Sequence, residues 1–209
     1  MKTISALSGN EILEAVKIIN KGGLIAFPTD TVYGLAASAF NAKAIQKLFI
    51  AKGRDFNKAI AILIGELSHL DVITSGLTYT AEKLASRFWP GALTLVVPAH
   101  HDLPGILSPT PTIGIRMPDH PFALNLLKAT GPLATTSANI SGGENPLTAD
   151  DVKSNLNDRV DLIIDGGKCP GGVPSTVVDC THPEIKIIRD GGIPSKVLID
   201  YLADYPSDD

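Results

Sequence analysis

The chain is 209 residues long, 44% hydrophobic and 19% charged, proportions of a packed globular protein that exclude collagen-like, low-complexity and wholly disordered classes. That length suits one α/β domain with a sizeable core and is short for two. Eighteen basic against 22 acidic residues give a formal charge of −4, the wrong sign for a protein whose whole surface grips a nucleic-acid backbone, so any anion site must be local.

From the N-terminus, Lys2 to Glu11 alternates polar and apolar residues and lacks the apolar core of a secretory signal, so the mature chain is expected to start near Met1 and stay cytoplasmic. Asn10 is placed to cap a helix whose stripe, Ile12, Val16 and Ile19, repeats at helical spacing, with Gly22-Gly23 as the stop. Leu24 to Phe27 reads as a short strand ending at Pro28, and the turn Thr29-Asp30-Thr31 places hydroxyls and a carboxylate at its end. Asn41 caps a second helix carrying Ile45, Leu48 and Phe49, which Gly53 stops between Lys52 and Arg54. Ala59 to Ile64, six residues, is the longest apolar run; it reads as a buried strand, far short of the roughly 20 residues of a membrane-spanning helix.

A helix from about Thr80 to Phe88 ends at Pro90-Gly91, and strands follow at Ala92 to Val97 and Thr112 to Arg116. Asp119 and Pro121 open the next helix, and a strand from about Pro132 runs into Thr135-Thr136-Ser137-Ala138-Asn139. After the Gly142-Gly143 loop, Thr148 caps a helix, and strands are expected at Asp161 to Ile164, Ser175 to Asp179 and Ile185 to Ile188. A last helix begins after Pro194, and the tail from Tyr205 to Asp209 reads as frayed. Several strands follow one another without an intervening helix, so the expected class is α/β with a mixed sheet.

Neither a dinucleotide fingerprint nor a P-loop is present. Cys169 and Cys180 lie eleven apart with no second pair, and His100 and His101 lack helical ligand spacing or a neighbouring carboxylate motif, so no metal-ligand set is expected. The chemistry-bearing candidates are polar groups at strand ends and loops. Three of the five arginines, Arg54, Arg116 and Arg189, stand beside Gly- or Pro-containing turns at the ends of apolar segments, where a guanidinium fork suits the carboxylate or phosphate of an anionic small molecule. Structural readings stand beside these. Lys52 and Arg54 also suit a solvated helix C-terminus, Ser137 and Asn139 also suit a turn that bonds its own backbone, Thr29-Asp30-Thr31 also suits a simple turn, and Trp89 suits the core.

In order along the chain stand Pro28-Thr29-Asp30-Thr31-Val32-Tyr33-Gly34-Leu35, Lys52-Gly53-Arg54, Trp89-Pro90-Gly91-Ala92-Leu93-Thr94, Gly114-Ile115-Arg116-Met117-Pro118, Ser137-Ala138-Asn139-Ile140-Ser141-Gly142, Ser175-Thr176-Val177-Val178-Asp179 and Arg189-Asp190-Gly191. This ordered series, from about Glu11 to Ile193, resembles the YrdC-like threonylcarbamoyl-AMP synthase family in its short form. The resemblance implies one YrdC-like domain over residues 1–209, a twisted mixed sheet with helices packed on it. It implies an enzyme that condenses L-threonine, bicarbonate and ATP, with Mg2+ as the companion of ATP, into threonylcarbamoyl-AMP and pyrophosphate. The product serves threonylcarbamoyl-adenosine modification of tRNA through downstream transfer proteins.

By the same resemblance Lys52 and Arg54 are catalytic; Thr31, Arg116, Thr135 and Ser175 bind L-threonine; and Arg54, Lys58, Thr112, Ser137, Asn139, Asn145 and Arg189 bind ATP. Asp55 and Ala59 stand where the family carries prolines, Leu63 where some relatives carry histidine and Asn145 where serine is common, which leaves the detailed contacts of the Lys52 to Ala59 loop open. The rival readings are a module that binds tRNA or double-stranded RNA without turnover, and a carbamoyl-transfer relative.

Overall fold

A computed structural model describes residues 2–182 and 184–204. Among them are strands β1 (Lys2–Ser5), β2 (Ile25–Phe27), β3 (Gly34–Ser38), β4 (Ala61–Leu63), β5 (Leu93–Pro98), β6 (Thr112–Arg116), β7 (Leu133–Ser137), β8 (Leu162–Asp165), β9 (Thr176–Asp179) and β10 (Lys186–Arg189). The helices are α1 (Glu11–Asn20), α2 (Ala42–Lys52), α3 (Tyr79–Phe88), α4 (Pro121–Thr130), α5 (Ala149–Leu156) and α6 (Ser195–Asp204). The strands form one sheet in the order β1-β8-β2-β3-β7-β4-β6-β5-β9-β10. It is mixed, as expected. β8 runs parallel to β1 and β2, and β6 to β4, whereas β3 is antiparallel to both β2 and β7.

Side chains alternate across the strands, so a strand covered on both faces feeds two cores. Ile25 and Phe27 of β2, with Leu162 and Ile164 of β8, pack with Ala15 and Ile19 of α1 and Ala123, Leu126 and Leu127 of α4. Ala26 and Ile163, one residue over, join the larger core on the other face with Ile45, Leu48 and Phe49 of α2 and Leu84 of α3. The strands β4, β6 and β5 send Ile62, Ile113, Ile115 and Leu95 into that larger core. Their opposite faces line a cavity, with Leu63 of β4 shared between that lining and the smaller core.

Local chemistry sets the boundaries. Asn41 accepts a hydrogen bond from Ala44 N through its side chain at the start of α2, and Gly53, at φ 60°, ends it in the left-handed conformation that glycine adopts most readily. Two expectations need correction, and one strand is added to those expected. Asn10 precedes α1 but makes no capping bond: at ψ 3° its backbone is not extended, and its Oδ1 accepts from Ser8 Oγ at 2.9 Å instead. The cap of α4 is His120 rather than Asp119, its Nδ1 accepting from Ala123 N at 3.3 Å, with Pro121 at the helix start. The segment Lys2–Ser5 is an edge strand paired with β8, and its mostly exposed side chains give it little apolar signal. The tail at residues 205–209 lies outside the described residues. No helix among the described residues is long and apolar enough to cross a membrane.

Candidate active site

The cavity encloses about 470 Å³. Alternate residues of neighbouring strands build its floor: Ala61 and Leu63 from β4, Thr94 and Val96 from β5, Thr112, Gly114 and Arg116 from β6, Thr135 and Ser137 from β7. Small side chains keep that floor open. A Cβ on Gly34 would lie 2.9 Å from Thr135 Cγ2, closer than such contacts allow without a shift, and one on Gly114 would press on Thr94 Cγ2 at 3.1 Å. Hydroxyls dominate the polar lining, and no carboxylate is part of it.

At one end Arg116 is 6% exposed. Its Nε donates to Gly91 O at 2.9 Å, its Nη1 to Thr31 Oγ1 at 2.9 Å, and its Nη2 makes a short ion pair with Asp30 Oδ1. The turn before β3 organises this end. Thr29 Oγ1 donates to Val32 O at 2.7 Å and so accepts from Thr31 Oγ1 at 3.1 Å, which directs the Thr31 hydroxyl proton away from Arg116. Burial lowers the Arg116 pKa and the facing Asp30 opposes that shift. Three of five guanidinium N–H groups are thereby committed, and two remain to meet a ligand carboxylate.

The other two cations are Arg54, on the loop after α2, and Arg189, the last residue of β10. Arg54 Nη2 donates to Ala59 O at 2.7 Å and Nε to Lys58 O at 3.2 Å. Arg189 Nη2 donates to Ser175 O at 2.7 Å, and Ser175 Oγ pairs with Thr94 Oγ1 at 2.8 Å. Burial lowers the pKa of Arg54 and of Arg189, and their neighbours add to it, Arg189 acting on Arg54 and Arg116 on Arg189. Arg189 thus stands within reach of both other guanidiniums, and against the three cations are set only Asp30 at Arg116 and the exposed Asp55 at Arg54, which leaves a positive site that an anionic ligand would relieve.

The structure thus brings nine of the expected residues to one cavity: Thr31, Arg54, Thr112, Arg116, Thr135, Ser137, Asn145, Ser175 and Arg189. Lys52 and Asn139 lie buried beside Ser137 without lining it, and the exposed Lys58 contributes only its carbonyl, to Arg54. Two contributors were given no role from sequence. Asp30 carries the one carboxylate of its turn, and Thr94 is the polar member of an apolar strand, facing the same side as Val96. Trp89 belongs to the core, its Nε1 donating to Leu93 O at 2.8 Å. His100 and His101 do have a carboxylate beside them, because the turn folds Asp102 back to 3.6 Å and 3.3 Å from the two rings. The thiols are poor nucleophiles: burial pushes Cys169 up to about 11 and Cys180 up to about 12.

Fold and cavity together define an α/β protein with a cationic, hydroxyl-lined site for a small anionic ligand on the open half of one sheet face. The Sua5_yciO_yrdC family model, described as Telomere recombination, matches residues 17–191, and the chain belongs to this family. It is 41% identical over 186 residues to a threonylcarbamoyl-AMP synthase of Bacillus subtilis, covering 88% of this chain and 54% of that protein. It is 37% identical over 192 residues to a putative threonylcarbamoyl-AMP synthase of Mycobacterium tuberculosis, covering 91% of this chain and 88% of the relative. The crystal structure of Pyrococcus abyssi Sua5 complexed with L-threonine superposes with a TM-score of 0.93 at 37% identity, over 97% of this chain and 61% of the other. The chain therefore spans about half the length of the bacterial and archaeal synthases it first matches.

Proposed function

We propose that this chain is a threonylcarbamoyl-AMP synthase, joining L-threonine, bicarbonate or carbon dioxide and ATP into L-threonylcarbamoyladenylate with release of pyrophosphate. The observation that carries the reading is one cavity lined by a buried, preset guanidinium, Arg116, and by two further guanidiniums, Arg54 and Arg189, that are held only by backbone carbonyls and the Ser175 hydroxyl. The threonine-bound Sua5 relative supports an amino acid at the Arg116 end. There Arg116 takes the carboxylate, with Thr31, Thr135 and Ser175 around the remaining polar atoms. Arg54 and Arg189 face the triphosphate, and Thr112 and Asn145 the nucleoside.

The threonine amine attacks carbon dioxide to form a carbamate, and a carbamate oxygen then displaces pyrophosphate at the α-phosphorus. Neither step calls for a protein nucleophile. The protein supplies positioning and stabilisation of spreading negative charge, which fixed guanidiniums and hydroxyls at a sheet face provide. The cavity lining carries no carboxylate, so magnesium fits here as a companion of the ATP phosphates, held by them and by water, and supplies charge neutralisation. Residues 11–193 form the working unit of this reading, placed in the cytoplasm with ATP and tRNA; downstream transfer proteins carry the product to tRNA.

The test is pyrophosphate release with MgATP, omitting L-threonine or bicarbonate in turn, with the adenylate product followed by mass spectrometry. Release that requires both substrates is expected. Release that needs neither, or a reaction driven by carbamoyl phosphate instead, overturns the assignment.

A further inference from the structure

Lys52 is the last residue of α2 and is 1% exposed, yet no carboxylate among the described residues forms an ion pair with it. Its ammonium meets three oxygens of one turn: Ser137 O at 2.5 Å, Asn139 O at 2.6 Å and Asn139 Oδ1 at 3.1 Å. An ammonium has three N–H donors, so its capacity is filled by the protein itself. Its own carbonyl accepts from Ser141 N at 2.9 Å, which ties the same turn at a second point.

The Asn139 amide has one orientation consistent with its neighbours. Its Oδ1 accepts from Lys52 and, at 2.6 Å, from the Ser137 hydroxyl, while its Nδ2 donates to Gly143 O at 2.7 Å. A cation and a hydroxyl together fill the two lone pairs of that oxygen. The Ser137 proton is consequently committed to Asn139, and the Ser137 oxygen that lines the cavity presents only lone pairs there. Such an oxygen can accept from an N–H group, from a water or from a cation. It cannot donate to a bare phosphate oxygen.

We infer that Lys52 is a positioning residue: it acts through Asn139 to hold Ser137 Oγ as an acceptor facing the ligand, and does not itself touch the reacting atoms. The inference rests on the proposed synthase reading for its assay, while the geometry behind it concerns the residues alone. Removing the ammonium strips Asn139 Oδ1 and two carbonyls of a partner, which frees the amide to turn over and the Ser137 hydroxyl to rotate.

The deciding experiment is a double-mutant cycle of Lys52→Met and Ser137→Ala, reading kcat and KM for pyrophosphate release beside the thermal midpoint. Each single substitution is expected to lower kcat/KM by roughly 10- to 100-fold, the range of one lost buried polar interaction, and the double variant to be no worse than the weaker single by more than about twofold. Multiplicative losses mean that Lys52 acts independently of Ser137 and overturn the inference; so does a Lys52→Met enzyme with unchanged kinetics.

If Lys52→Met does not accumulate as folded protein, Asn139 carries the same test. Asn139→Asp retains an oxygen for both Lys52 and Ser137 and should keep most of the activity that Asn139→Leu loses; equal losses in the two variants contradict the relay. Calorimetric titration of the same variants with ATP keeps the two claims separate. A wild-type protein that binds ATP but releases no pyrophosphate refutes the synthase reading, and the cycle is then read in ATP affinity, where additivity still refutes the relay.

Discussion

At the buried end of the cavity, Arg116 is held by groups far from it in sequence, Asp30 and Thr31 of the turn before β3 and Gly91 O, whereas at the open end Arg54 is held by carbonyls of its own loop, Lys58 and Ala59. Arg116 cannot change its pose without stranding a buried charge, while Arg54 can exchange two exposed carbonyls for a ligand at little cost. A preset site suits a small, invariant ligand such as an amino acid. An adaptable one suits a long, flexible triphosphate that must be gripped and whose pyrophosphate must be released.

The largest expected effect comes from breaking the preset end. Arg116→Ala removes the buried guanidinium that the proposed threonine carboxylate pairs with, a loss on the order of 2 to 5 kcal/mol that should fall on threonine affinity and leave ATP affinity nearly unchanged. The same substitution strands the Asp30 carboxylate, so the Asp30→Ala/Arg116→Ala double variant should melt at a higher temperature than Arg116→Ala alone. Calorimetry and thermal melting check the two parts; a normal threonine dependence in Arg116→Ala would break the contrast between the ends.

The next effect concerns pH. Burial, with Arg54 adding to it, lowers Lys52 from 10.5 to about 8. Its ammonium, needed to hold the Ser137–Asn139 turn, is lost as pH rises through about 8, so kcat/KM should fall along that limb. Stability moves the other way. Between about 8 and 10.5 the unfolded chain binds the proton that the folded chain has released, so the Lys52 contribution to stability rises with pH across that window. A Lys52→Met variant that keeps the same alkaline limb would assign it to another group.

Smaller effects belong to the open end. Arg54→Ala should raise the KM for ATP by roughly tenfold, the worth of one charge-assisted hydrogen bond, with threonine affinity untouched. The smallest is Lys58→Ala: its side chain is exposed and only its carbonyl serves Arg54, so stability and kinetics should stay within about 0.5 kcal/mol of the parent. A marked loss of ATP affinity in that variant would show that the side chain swings in when ligand binds.

What was legible in the sequence follows the same division. The sheet and its helices were read from alternating and helical apolar spacing, because buried elements such as β2 and α2 carry that signal strongly. The exposed edge strand β1 carries little of it, and the missing capping bond at Asn10 and the cap at His120 depend on local dihedral angles that residue type alone does not set. Resemblance named nine residues that the fold brings to the cavity lining. It could not show that Asp30 pairs with Arg116 across 86 positions, or that Lys52 faces oxygens 85 and 87 positions away, since the first relation joins the turn before β3 to the end of β6 and the second joins the end of α2 to the end of β7. Thr94 was legible in principle as the polar member of an apolar strand.

The most direct test of the preset and adaptable ends is calorimetric titration of L-threonine into the nucleotide-free protein, beside Arg116→Ala and Arg54→Ala. A preset Arg116 end predicts binding without ATP that is abolished in Arg116→Ala and unchanged in Arg54→Ala. Threonine binding that appears only after ATP is added, or that Arg54→Ala abolishes while Arg116→Ala does not, would contradict it.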